Sequence, residues 1–193
     1  MKLPKRVFIV HGWSGNPRIG WFKWLQKELE KKGYSVTAPL MPDADEPVIG
    51  KWVHFLSKLI RAPDEQTYLV GHSIGCQAIL RYLQPFPRGE KVGGVILVGG
   101  WPIKLTGLGP EEDLIAKPWM ETPILWERIK STSPNFVAIH SDNDPYVPLE
   151  NADCLKKNLG AHVHIEHNKG HYTESDTNTI PIVLNELLRI SRD

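Results

Sequence analysis

The sequence predicts a doubly wound, three-layer α/β sandwich with a six-stranded, mostly parallel sheet, built as a single domain over residues 1–193. Three observations lead there. Short apolar runs of strand length alternate with 3.6-periodic stretches from one end of the chain to the other. That alternation implies parallel strands joined by crossovers, with helices on both faces of the sheet. A length of 193 residues, with 41% hydrophobic and 23% charged residues, suits one globular core.

The elements follow in order. Val7-Phe8-Ile9-Val10 is a first strand, bounded by Gly12 and Gly15. Trp21 to Lys32 is an amphipathic helix with Trp21, Trp24, Leu25 and Leu29 on one stripe, stopped by Gly33. Ser35 to Ala38 is a second strand, ended by Pro39, and Pro47 to Leu59 a second helix that turns Val48, Trp52, Phe55 and Leu59 inward. Tyr68-Leu69-Val70 is the third strand and Ile74 to Leu83 the helix after it. Val92 to Val98, strongly apolar, is a fourth strand buried on both faces. Phe136 to His140 is the fifth and Val163 to Glu166 the sixth, with a helix over Glu150 to Leu159 between them. A last helix runs from Thr179 to Ile190, with Pro181 in its first turn, where a missing N–H costs little.

The exception is the stretch 99–133, which shows no strand yet holds Trp101, Trp119, Met120, Ile124, Leu125 and Trp126. It is too apolar for disorder and must pack on something. A cap over the active site is one reading and a helical crossover between strands four and five the other. Trp13, Trp101 and Trp119, in loops or in this excursion, are the tryptophans expected near a pocket.

Charge and cysteine content exclude several function classes. Lys plus Arg number 23 against 22 Asp plus Glu, without the basic surplus that nucleic acid or an anionic membrane would need. Two cysteines, Cys76 and Cys154, make no disulfide framework. Met1 to Arg6 is charged and followed by only a short apolar run, so no signal peptide is expected, and no run approaches the ~18–20 apolar residues of a membrane span. A cytoplasmic location is the expectation.

Gly71-His72-Ser73-Ile74-Gly75 matches G-x-S-x-G between a predicted strand and a predicted helix. A nucleophile elbow needs a strained backbone at the serine, and glycines two residues to either side remove the side chains that would collide there. A serine that merely caps the helix is the plainer alternative. A serine hydroxyl needs a base to take its proton. Gly170-His171 follows the sixth strand, and Asp142 and Asp144 follow the fifth, so the order Ser, acid, His is met at the carboxyl ends of parallel strands. Asp144 is the preferred acid, because Asp144-Pro145-Tyr146-Val147-Pro148 has a stiffened, extended backbone at the aspartate. Asp142 is left to solvent or to a turn. His11-Gly12-Trp13 closes the first strand, and the backbone N–H groups of Ile74 and Trp13 are the expected oxyanion donors. Cys76 is expected as a small core residue, and His72 is expected to pack below the serine. His162, His164 and His167 lack a carboxylate or cysteine to complete a metal pattern, so no metal is expected.

The whole chain resembles the small serine hydrolases related to retinoblastoma-binding protein nine, within the α/β-hydrolase superfamily. The resemblance rests on Val10-His11-Gly12, Val70-Gly71-His72-Ser73, Trp126-Glu127-Arg128-Ile129-Lys130 followed by Pro134, Asp144-Pro145 and Gly170-His171. It implies a compact α/β-hydrolase fold, a triad of Ser73, Asp144 and His171, and no cofactor. The expected reaction is cleavage of small acyl esters or thioesters through an acyl-enzyme. A peptidase or amidase on the same triad, or a protein-binding module on a hydrolase scaffold, are the alternatives. The expected partner is a small acyl substrate.

Overall fold

The computed structural model describes residues 4–192. Met1 to Leu3, part of the stretch argued to hold no signal peptide, lie outside the described residues. The elements run β1 (Arg6–Val10), α1 (Gly20–Glu30), β2 (Ser35–Thr37), α2 (Ile49–Leu59), β3 (Thr67–His72), α3 (Ile74–Leu83) and β4 (Gly94–Val98). They continue with α4 (Pro110–Glu121), α5 (Trp126–Lys130), β5 (Phe136–Ser141), α6 (Glu150–Leu159), β6 (His162–Glu166) and α7 (Pro181–Ile190). The six strands form one sheet in the order β2-β1-β3-β4-β5-β6, with parallel neighbours at each pairing.

Strand side chains alternate between two separate cores, as a period of two requires. Phe8, Val10, Leu69, Val95, Leu97, Phe136 and Ala138 join the layer that holds Trp52, Ile79, Leu83 and Leu155. Val7, Ile9, Tyr68, Val70, Ile96, Val98, Val137 and Ile139 join the opposite layer with Trp21, Leu25, Leu29, Val183 and Leu187. Thus α1 and α7 cover one face, while α2, α3 and α6 cover the other. Each large aliphatic or aromatic side chain buried this way contributes about 1.5–3 kcal/mol, which is why the central strands are apolar on both faces.

Several element ends differ from the sequence reading, and two of the differences have a visible cause. β4 begins at Gly94, not Val92, because Gly93 is pressed against the start of β3. Its N–H donates to the carbonyl of Thr67, and a Cβ there would stand 2.3 Å from the carbonyl oxygen of Glu65. In α2 the helix starts at Ile49, so Val48 becomes its exposed N-cap and Leu56 takes the buried position. The stretch 99–133, expected to hold no strand, contains two helices, α4 and α5.

The chain passes from β1 to β2 on one side and later from β1's other neighbour, β3, outward to β6. Loops after β1 and β3 therefore diverge to opposite faces, opening a crevice at the carboxyl edge where such sheets bind ligands. No helix among the described residues is long and apolar enough to cross a membrane.

Candidate active site

At the crevice, β3 turns into α3 at Ser73, whose backbone takes φ 51° and ψ −121°. A non-glycine residue in that region is strained, by order of 1–3 kcal/mol, and the surroundings must hold it there. Sterics explain the flanking glycines. A Cβ on Gly75 would lie 2.4 Å from the carbonyl oxygen of Val10, and one on Gly71 2.8 Å from the amide nitrogen of Cys76. The Ser73 N–H donates to the carbonyl of Val98 at 2.9 Å, fastening the elbow to β4.

Loops after β3, β5 and β6 bring three side chains into one hydrogen-bonded line. The Ser73 hydroxyl lies 2.9 Å from Nε2 of His171, and Nδ1 of His171 lies 2.7 Å from Oδ2 of Asp144. A carboxylate only accepts, so Nδ1 carries the imidazole proton and Nε2 is free to accept from the serine. The other oxygen of Asp144 accepts from the N–H groups of Tyr146 and Val147 at 2.9 and 3.0 Å. Asp144 is 1% exposed at its side chain. Asp142, by contrast, sits at the surface, where Oδ1 accepts from the N–H of Asn168 and Oδ2 pairs with Nδ1 of His167. Those two contacts, the backbone bond first, hold its carboxyl below the usual carboxylate range.

Two buried histidines brace the line. His72 donates from Nε2 to the carbonyl of His171 at 2.8 Å, and its ring packs 5.0 Å from the His171 ring. Burial, and then the nearby imidazole of His171, push its pKa down to about 3, so it remains a neutral strut. His11 accepts from the N–H of Met41 at Nε2 and donates from Nδ1 to the carbonyl of Gly12. Burial lowers its pKa as well. It thereby pins the loop that carries Gly12 and Trp13.

That loop approaches Ser73 closely: a Cβ on Gly12 would lie 3.2 Å from the serine Cβ and 2.8 Å from Nδ1 of His72. Only glycine fits there. Among the described residues, no hydrogen bond occupies the backbone N–H of Trp13 or of Ile74. The N–H of Ile74 adjoins the serine in sequence and opens α3, whose positive end favours negative charge.

A cavity of about 290 Å³ opens on the serine, lined by Trp13, Trp101, Leu105, Leu108, Tyr146 and His171 among others. Among the described residues, Glu112 is the one carboxylate in its lining. Trp101 is at the wall, 1% exposed, with its indole N–H 3.2 Å from Ser73 Oγ. Trp119 does not line this cavity, which corrects the expectation from its place in the excursion. It is buried among helices, packs edge-on to Trp52 and donates its N–H to the carbonyl of Pro47. The reason is position along the chain: this stretch contributes residues 101–112 to the wall, whereas Trp119 lies two turns farther along α4.

Cys76 is buried, with its thiol pushed up by desolvation and directed at the carbonyl of Val98. The histidine cluster is reorganised. His167 turns to Asp142, and the pair on β6, His162 and His164, meets Glu186 of α7, with ligand atoms within 4.8 Å of one another. The missing carboxylate thus comes from another element, which spacing in the sequence could not reveal. Glu186 is already held by Nε and Nη2 of Arg189 at 2.7–3.2 Å, so a cation there would have to compete with a guanidinium.

Comparison with known proteins identifies the family and the fold. The sequence matches the serine hydrolase family over residues 7–188. YdeN from Bacillus subtilis (strain 168) is 30% identical over 186 residues, 96% of this chain and 95% of that protein. Serine hydrolase RBBP9 from Rattus norvegicus is 28% identical over 191 residues, covering 97% of this chain and 98% of its own. The crystal structure of the ydeN gene product superposes with a TM-score of 0.89, covering 96% and 98% of the two chains at 29% identity. Est1E from Butyrivibrio proteoclasticus, at 16% identity and a TM-score of 0.72 over 97% and 89%, shares the fold. With an elbow serine at a sheet switch point and a family match across nearly the whole sequence, the chain belongs to the serine hydrolase family and has the α/β-hydrolase fold.

Proposed function

We propose that this serine hydrolase cleaves small acyl esters or thioesters by an acyl-enzyme route in which Ser73 is the nucleophile, His171 the base and Asp144 the orienting acid. One observation carries the reading: the hydrogen-bonded line from Asp144 through His171 to Ser73, 2.7 and 2.9 Å long, ends in an apolar cavity. As Oγ attacks the acyl carbon, its proton passes to Nε2 of His171, and the carbonyl π electrons move onto oxygen. The N–H groups of Trp13 and Ile74 receive that charge, each such donor being worth about 3–4 kcal/mol in the transition state. His171 returns the proton to the departing alcohol or thiol. Water then repeats the sequence on the acyl-enzyme, and Ser73 leaves with its proton restored. Asp144 holds the imidazole in the tautomer that can accept from serine and stabilises its charged form.

The cavity wall supports this choice of substrate class. Leu105, Leu108, Trp13 and Trp101 offer carbon rather than hydrogen-bond partners, which favours a short to medium acyl chain. A fluorophosphonate probe should label Ser73 and nothing else, and Ser73→Ala should abolish both labelling and hydrolysis of p-nitrophenyl esters. Strong labelling of Ser73→Ala defeats the assignment of the nucleophile. Faster turnover of peptide anilides than of matched esters defeats the choice of substrate class and favours an amidase.

A further inference from the structure

We propose that Trp101 is a catalytic residue, whose indole N–H stabilises the negative charge that Ser73 Oγ carries as acylation begins and deacylation ends. The inference rests on the reading of Ser73 as nucleophile.

Five tryptophan N–H groups have partners among the described residues. Those of Trp13, Trp21, Trp52 and Trp119 go to main-chain carbonyls, of Asp45, Tyr172, Pro42 and Pro47. A buried indole needs such a partner, and a carbonyl is the ordinary solution. Trp101 differs, since its Nε1 donates to Ser73 Oγ at 3.2 Å. An indole nitrogen can only donate, so the direction of this bond is fixed. The hydroxyl gives its own hydrogen to Nε2 of His171 at 2.9 Å. One lone pair accepts from Trp101, and the second remains for the acyl carbon.

The ring is held in this place by contacts with no role in lining the cavity. The carbonyl of Trp101 accepts from Nε2 of Gln77, a fully buried amide on α3 one turn beyond the serine. The carbonyl of Gly100 accepts from Nε2 of buried His140 at 2.9 Å, and the N–H of Gly99 donates to the carbonyl of Ile139. Gly100 passes so near Cys76 that a Cβ would lie 3.1 Å from the cysteine Cβ. Three consecutive residues are thus fastened to α3 and β5, and the indole they carry is enclosed at 1% exposure.

The chemistry needs a bond that strengthens in the transition state. In the resting enzyme Trp101 donates to a neutral hydroxyl. In acylation the Oγ–H bond breaks, its proton goes to Nε2, and the oxygen pair that forms the C–O bond carries negative charge on the way. In deacylation the C–Oγ bond breaks, its electron pair returns to Oγ, and Nε2 gives the proton back. At both moments the indole faces a charged oxygen, and a charge-assisted hydrogen bond is roughly twice as strong as a neutral one.

The test separates the N–H from the ring. Trp101→Phe removes the donor, and benzothienylalanine at position 101 replaces the N–H by sulfur while keeping the bicyclic shape. The readouts are the second-order rate of fluorophosphonate labelling and kcat and KM for an acetate ester too short to depend on the cavity wall. Both replacements should slow labelling and kcat by about tenfold to a hundredfold, the range for a hydrogen bond to a charged acceptor, with KM nearly unchanged. Should Trp101→Phe fold poorly, the benzothienyl protein decides. A wild-type labelling rate in that protein, or a change confined to KM, overturns the proposal and leaves Trp101 as wall. Failure of the unmodified protein to label at Ser73 is a different result, and it removes the nucleophile reading together with this one.

Discussion

The two halves of the stretch between β4 and β5 are built from similar residues and end up doing different things. Both contain a tryptophan 1% exposed, Trp101 in the first half and Trp119 in the second. The first half is laced to the loop of Asp144. The N–H of Thr106 donates to the carbonyl of Tyr146, its hydroxyl to that of Pro145, and the N–H groups of Ile103 and Lys104 share Oδ1 of Asn151. The second half is laced to α3. Buried Arg81 donates to the carbonyls of Trp119, Thr122 and Pro123, and Gln84 accepts from the N–H of Leu125. Burial lowers the Arg81 pKa to about 10, which leaves it charged at neutral pH. Burial and residue type alone therefore do not mark a functional tryptophan. What separates the two is the partner of the indole N–H, Ser73 Oγ for Trp101 and the carbonyl of Pro47 for Trp119.

The largest effect expected from breaking this contrast lies on the side of the acid loop. Asp144→Asn should cut kcat by roughly 10³–10⁴ through a mis-set imidazole, whereas Asp142→Asn should stay within about tenfold. The reverse ranking in steady-state kinetics would put the functional acid at the surface and separate it from the first half of the stretch. On the other side the expected loss is of stability. Trp119→Ala removes a fully packed ring and should cost about 3–5 kcal/mol in urea unfolding, while the folded fraction keeps the acyl chain-length preference of the parent. A changed preference would return Trp119 to the substrate wall.

A smaller effect is expected where the first half meets substrate. Each methylene the cavity buries is worth about 0.8 kcal/mol, so activity should climb several-fold per added carbon until the space is full. Leu108→Ala or Leu105→Ala should move that maximum to longer chains and leave acetate esters little changed. Equal loss on all lengths would make the leucines structural.

The smallest effect is in acid. His11, His72 and His140 are buried and neutral, with pKa values lowered from an ordinary 6.5 mainly by desolvation, to about 3 for His72. In that window the unfolded chain binds more protons than the native one, so stability rises with pH. It should be fully present above about pH 6.5 and fall progressively as the pH drops toward 3. Urea midpoints measured across this range should decline, and less steeply in His72→Gln. An unchanged slope in that variant would mean that His72 is not the neutral strut described.

Much of the fold was legible because it rests on local periodicity. The six apolar runs became six strands, and helices α3 and α6 begin and end where the pattern of Ile74 to Leu83 and Glu150 to Leu159 places them. Among the shifted ends, the start of β4 at Gly94 was set by close backbone approach and that of α2 at Ile49 by the extended backbone of Val48. Neither is written in hydrophobic spacing.

For the site, the sequence by itself determined what adjacent residues can impose. The glycines at 71 and 75 permit the strained turn at Ser73, and Pro145 stiffens the loop after Asp144. Chain order puts Ser73, Asp144 and His171 on loops at one edge of a parallel sheet. Tertiary structure decided what depends on groups far apart in sequence. Glu186 joins the β6 histidine pair from α7, His72 braces the backbone of His171 across 99 residues, and Gln77 and His140 aim Trp101 at the serine while Trp119 turns to Pro47. The physical reason is one of range. Backbone strain and periodicity act within a few residues, but a buried polar group takes whichever partner the packed layers bring within about 3 Å.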